Sequence, residues 1–71
     1  MSHELKHYLE GSWHQLKGAI QENWGKLTDD EFDKIEGKQE RMLGFLQKEY
    51  GLTKGEAEKQ LHDFLKEHHD K

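Results

Sequence analysis

Apolar residues recur every three or four positions along nearly the whole of a chain that contains no proline. With successive residues placed 100° apart, Leu5, Leu9, Trp13, Leu16, Ile20 and Trp24 fall within an arc of roughly 100°, the stripe that an amphipathic helix buries. Phe32, Ile35, Met42, Leu43, Leu46 and Tyr50 make a second such face, and Ala57, Leu61, Phe64 and Leu65 a third. No segment alternates with a period of two, so strands are not expected. The pattern predicts an all-α fold.

The first two faces lie within an internal repeat. "LEGSWHQLKGAIQENWG" from Leu9 to Gly25 is echoed by "IEGKQERMLGFLQKEYG" from Ile35 to Gly51, with Glu10/Glu36, Gly11/Gly37, Gly18/Gly44, Gln21/Gln47 and Gly25/Gly51 identical. Past the last glycine, "LTDDE" answers "LTKGE". Gly25 and Gly51 stand where a helix ends in a left-handed residue. Thr28 with Glu31, and Thr53 with Glu56, read as capping boxes opening the next helices. Asp29, Asp30, Glu31 and Asp33 place negative charge at a helix start, which suits the macrodipole better than it suits a calcium loop. The apolar phase runs unbroken through Gly11 and Gly37, permitting two long helices or four shorter ones. Ser12 with Gln15 resembles a further capping box, which favours a break at Gly11 and, by the repeat, another at Gly37. The expected architecture is four or five short helices, with the duplication packed as two similar helical hairpins about a local pseudo-twofold, in a single domain spanning 1–71 whose tail 66–71 is frayed.

Seventy-one residues, of which 31% are apolar and 37% charged, leave only a thin core, and a mean hydropathy of −1.23 lies close to the border with disorder. Seven aromatic residues pull the chain back towards folding. There is no cysteine to staple it. Met1-Ser2-His3-Glu4 carries no basic leader, and no run approaches a membrane span. These features point to a soluble cytoplasmic protein with no membrane role. Residues 1–37 hold four lysines against eight carboxylates, residues 38–71 seven cations against seven, for a net charge of −4. Neither half offers the basic field that nucleic-acid binding draws on.

The strings "EGSWHQLKG", "WGKLTDDEF", "IEGK", "LQKEYG" and "EAEKQLHDF", spread from about Leu9 to Leu65, closely resemble the CsbD-like family of small bacterial stress-response proteins. That resemblance implies an all-helical, SAM-like array of two orthogonally packed helical hairpins and a role in general stress, such as osmotic shock or stationary phase. It implies no catalytic residues. The family's first helix is usually lysine-rich, whereas this chain has Ser12, His14, Ala19 and Asn23 at four of those sites, and Phe45 at a position that is often lysine.

Candidate sites are few. His3 and His7 are spaced i, i+4 with His14 nearby, and His62, His68, His69 and Asp70 cluster in sequence near the C-terminus. Neither set has the ligand number and spacing of a metal site, so no metal and no cofactor is expected. Ser2 and Ser12 sit at a terminus and an expected cap, and no glycine-rich phosphate loop is present, so no enzymatic activity is expected. Trp13, Trp24, Tyr50, Phe32 and Phe64 fall on faces that must be buried. Tyr8 and Phe45 fall off those faces, and Gly18 and Gly44 sit mid-helix opposite the apolar stripe, where each costs roughly 0.5 to 1 kcal/mol relative to alanine. These four residues, Gly18, Gly44, Tyr8 and Phe45, are the expected partner surface. The function expected is that of a monomeric, non-enzymatic stress-response protein, acting as a hydrophilic protectant or a small interaction module with a protein partner. The alternative is a nucleic-acid-binding helical-hairpin module, which would require Lys6, Lys17, Lys26, Lys38 and Arg41 to gather on one surface.

Overall fold

The computed structural model describes the backbone of residues 3–69 and the side chains of residues 6–68. Five helices follow one another: α1 His3–Ser12, α2 Lys17–Asn23, α3 Asp29–Ile35, α4 Gln39–Tyr50 and α5 Lys54–His69. No strand occurs among the described residues, as the absence of a two-residue period requires. The fold is all-helical, with a radius of gyration of 10.9 Å.

Local chemistry accounts for three helix ends. Thr28 Oγ1 accepts the Glu31 amide at 3.3 Å, opening α3 with three carboxylates in its first turn. At α5 both bonds of the capping box form: the Glu56 amide donates to Thr53 Oγ1 at 3.1 Å, and the Thr53 amide donates to Glu56 Oε1 at 2.9 Å. Helix α4 closes on Gly51 at φ 66°, the left-handed end that glycine adopts without a steric penalty.

The break at Gly37 is tighter than its sequence suggests. Glu36 and Gly37 are both left-handed, at φ 55° and 76°. A β-carbon on Gly37 would meet Glu10 Cα and Trp13 Cβ at 3.1 Å, so the α3–α4 corner presses against α1 at a place where only glycine fits.

Two expected boundaries are corrected. Gly11 and Ser12 lie inside α1, and the break falls at residues 13–16. Ser12 therefore caps nothing, and α2 begins from Leu16 without a side-chain cap bond. Gly25 is not left-handed; α2 ends at Trp24, whose φ of −124° and ψ of 88° turn the chain while its ring enters the core. Helix α5 runs through His69, and Asp70 and Lys71 lie outside the described residues. The two copies of the repeat thus take different backbone paths.

Helix α4 occupies the centre, packing against α5, α3 and α1, and α1 also packs on α5. Its buried arc is correspondingly wide: Met42, Leu43, Phe45 and Leu46 are all buried. Opposite them α5 supplies Ala57, Leu61, Phe64 and Leu65. Trp13 stacks on Phe32 with ring centroids 4.5 Å apart, and its indole N–H donates to the Phe32 carbonyl at 3.1 Å. Trp24 packs on Phe64 at 5.0 Å, and Leu27, in the α2–α3 turn, completes the interior. Leu16 and Tyr50 are half-buried at the core's edge, and Leu5 lies outside the described side chains. Among the described residues no polar or charged side chain is buried.

Candidate functional site

Gly18 and Gly44 are exposed, and a β-carbon at either would meet nothing within 4 Å. Neither marks a helix crossing. Gly44 lies mid-helix in α4, so its stability cost is not recovered inside the fold, whereas Gly18, expected mid-helix, is the second residue of α2 and stands in its first turn.

The two aromatic members of the expected partner surface are corrected. Phe45 is only 6% exposed, because α4 is covered on three sides and a single-stripe helical wheel underestimates its buried arc. Its ring meets Tyr50 edge-on at 6.2 Å. Tyr8 is half-buried against the core, and its hydroxyl donates to the His68 carbonyl at 3.4 Å, so it helps dock α1 on α5.

Gly44 and Phe45 nevertheless contribute to a surface feature. Together with Ile35 they floor a shallow depression of about 240 Å³ between α3 and α4, edged by Lys34, Arg41, Lys48 and Glu31. Arg41 is held in place through Nη1, which donates to Glu36 Oε1 at 2.6 Å and to the Lys34 carbonyl at 2.9 Å. Position 44 carried the sequence signal for this surface; the closing of α3 beside it lay beyond any helical wheel.

The remaining cations are placed differently. Lys17 approaches Asp29 at 3.5 Å and lies over the Phe32 ring, Lys26 donates to the Glu49 carbonyl at 3.0 Å and lies over Tyr50, and Lys38 pairs with Glu10 at 3.4 Å. Lys6, Lys38 and Arg41 edge one depression in company with Glu10 and Glu40. Positive charge on this side is thus interleaved with negative charge, a poor counterpart for a phosphate backbone.

In the acidic stretch at the start of α3, Asp29 is tied to α2. Asp29 accepts from the Gln21 side-chain amide at 2.9 Å, and this bond, with the nearby Lys17 ammonium, holds its carboxyl below the ordinary aspartate value. Three of the described histidines have separate settings: His14 lies edge-on to Phe32 at 5.8 Å, His62 faces its neighbour Asp63 at 3.8 Å, and His68 packs on Phe64 at 4.3 Å. Among the described residues no three His, Cys, Asp or Glu side chains gather as metal ligands; the side chains of His3, His69 and Asp70 lie outside them. No helix is long and apolar enough to cross a membrane among the described residues.

Comparison with known proteins places these features in a family. The family model described as CsbD-like matches residues 8–59. The UPF0337 protein pc0632 of Protochlamydia amoebophila is 48% identical over 63 residues, covering 89% of this chain and 96% of that protein. The UPF0337 protein YjbJ of Escherichia coli K12 is 48% identical over 54 residues, covering 76% of this chain and 78% of that one. No solved structure matches. The matched span runs from Tyr8 in α1 to Lys59 in α5, taking in the Gly37 corner and the Thr53 cap, and on this evidence the chain belongs to the CsbD-like family.

Proposed function

We propose that the protein is a non-enzymatic, cytoplasmic general stress-response protein that works as a monomer through its surface, as a hydrophilic protectant or a small interaction module. One observation carries this reading: among the described residues every buried side chain of the core is apolar, and no large hydrophobic side chain is exposed. Charge and hydrogen-bonding capacity are turned outward, so the molecule meets its surroundings through hydrated groups. Membership of the CsbD-like family supports the stress role, and the net charge of −4 supports a protein client over nucleic acid.

The test is protection of a desiccation-sensitive enzyme through a drying and rehydration cycle. Retained activity should rise with the molar ratio of added protein and should survive any single exposed substitution. Protection no better than that from an equal mass of an unrelated folded protein of similar size would dismiss the protectant reading.

A further inference from the structure

We infer that the face of α4 bearing Arg41, Gly44, Phe45 and Lys48, with Lys34 of α3 beside it, docks a short acidic peptide segment of a partner protein, one that presents an apolar side chain between carboxylates. This inference deepens the interaction-module form of the proposed function.

The argument begins with spacing. Arg41, Gly44, Phe45 and Lys48 stand at i, i+3, i+4 and i+7, so they share one face of a single helix. Arg41 and Lys48 are therefore separated by about 10.5 Å along the axis, two helical turns. In an extended peptide alternate side chains share a face, and the first and fifth lie about 13 Å apart, within reach of two long, flexible cations. Carboxylates at the first and fifth positions can face both cations while the third side chain, on the same face, points at Gly44 and Phe45.

The charges around the depression fit such a segment. Three cations and one carboxylate, Glu31, edge it, and since Arg41 is paired with Glu36, Lys34 and Lys48 supply the unbalanced positive charge on a molecule whose net charge is −4. Neither Lys34 nor Lys48 forms an ion pair among the described residues. Arg41 is oriented by bonds through Nη1 alone, and a guanidinium has five N–H donors, so the others are available to a ligand.

The floor supplies the second half of the recognition. At about 240 Å³ the depression has room for one apolar side chain and little more. Gly44 leaves that room open, since nothing stands within 4 Å of where its β-carbon would be. A glycine in mid-helix weakens the helix, and no contact within the fold explains this one. Access for a partner's side chain does.

The same features disfavour other anionic surfaces. Single-stranded nucleic acid binds through aromatic faces on which bases stack, and Phe45 is buried with its ring turned edge-on to Tyr50. A lipid surface calls for large apolar side chains that insert, and none is exposed among the described residues.

The test is a titration of the ¹⁵N-labelled full chain with the capped pentapeptide Glu-Glu-Leu-Glu-Glu, followed by amide chemical shifts. We expect fast-exchange shifts centred on the amides of Lys34, Gly44, Phe45 and Lys48, with a Kd on the order of 1 mM. The Lys34→Gln/Lys48→Gln variant should bind roughly five-fold more weakly. Gly44→Leu should abolish binding while its melting temperature stays at or above that of the parent, since leucine favours the helix. The lysine counterpart of the peptide should leave the spectrum unchanged. No shifts at several times that concentration, shifts scattered over the molecule, or an unaltered response in the double variant would each overturn the inference. Oligothymidylate or phosphatidylglycerol vesicles that shift these amides where the peptide does not would overturn the choice of ligand. Loss of peptide binding with enzyme protection intact removes the docking face alone, whereas loss of protection with peptide binding intact removes only the protectant reading.

Discussion

Four glycines of this chain face different tests when a β-carbon is added. At Gly37 the carbon would stand 3.1 Å from Glu10 Cα in α1 and from Trp13 Cβ just past its end, on a residue already at φ 76°. Gly37→Ala should cost about 2 kcal/mol or more, measured by urea denaturation. Gly18 and Gly44 have helical backbones and empty surroundings, so alanine at either should stabilise the protein, by about 0.5 to 1 kcal/mol at Gly44, the more central of the two. Gly51 has a left-handed backbone but open space, which places its alanine variant between these cases. The sequence identified all four positions as requiring explanation; it could not rank them, because the deciding atoms at Gly37 belong to Glu10 and Trp13, far away in the chain. Trp13 offers a comparable test: Trp13→Phe keeps a ring over Phe32 but removes the buried bond to its carbonyl, and should cost about 1 to 3 kcal/mol by the same measurement.

Among the helices, α5 has the most complete start and makes a pH-dependent prediction. The Thr53 amide, and after it the Thr53 hydroxyl, holds the Glu56 carboxyl below the ordinary glutamate value. The folded state therefore binds this proton less readily than the unfolded chain does. The resulting stabilisation is complete above the unfolded value of about 4.3 and is lost as the pH falls through the lowered folded value. Urea midpoints of the parent and Glu56→Ala should differ at pH 7, and the difference should shrink as the pH is lowered through the acid range. This cap was legible in sequence because its partners lie three residues apart. The end of α2 was not legible: Gly25 and Gly51 occupy equivalent places in the repeat, yet Trp24 leaves the helix to reach Phe64 and Gln60, while Tyr50 stays helical and half-buried. Gln21 and Gln47 diverge likewise, since Gln21 binds Leu27 and Asp29 across the turn and Gln47 is exposed.

For the molecule as a whole, one thin core must hold five helices together, and its failure at one point should be felt throughout. Leu61, 1% exposed, faces inward from α5. Leu61→Ala should cost about 2 to 5 kcal/mol, comparable to the ~3 to 5 kcal/mol that a core of this size supplies, so circular dichroism at 25 °C should show a largely unfolded chain. The parent should sediment as an 8.5 kDa monomer, because among the described residues it exposes no large hydrophobic side chain with which to join a second copy. Sequence by itself determined the helical class, most of the buried residues, the caps at Thr28 and Thr53, and the family, since these depend on residue type and on spacings within a turn or two. Tertiary structure decided the rest: which of two matching glycines would bend the chain, the burial of Phe45 and Leu27, and the meeting of Lys34 with the Gly44 face. Those outcomes depend on neighbours supplied by other helices, above all around α4, whose three partners no single-helix periodicity can reveal.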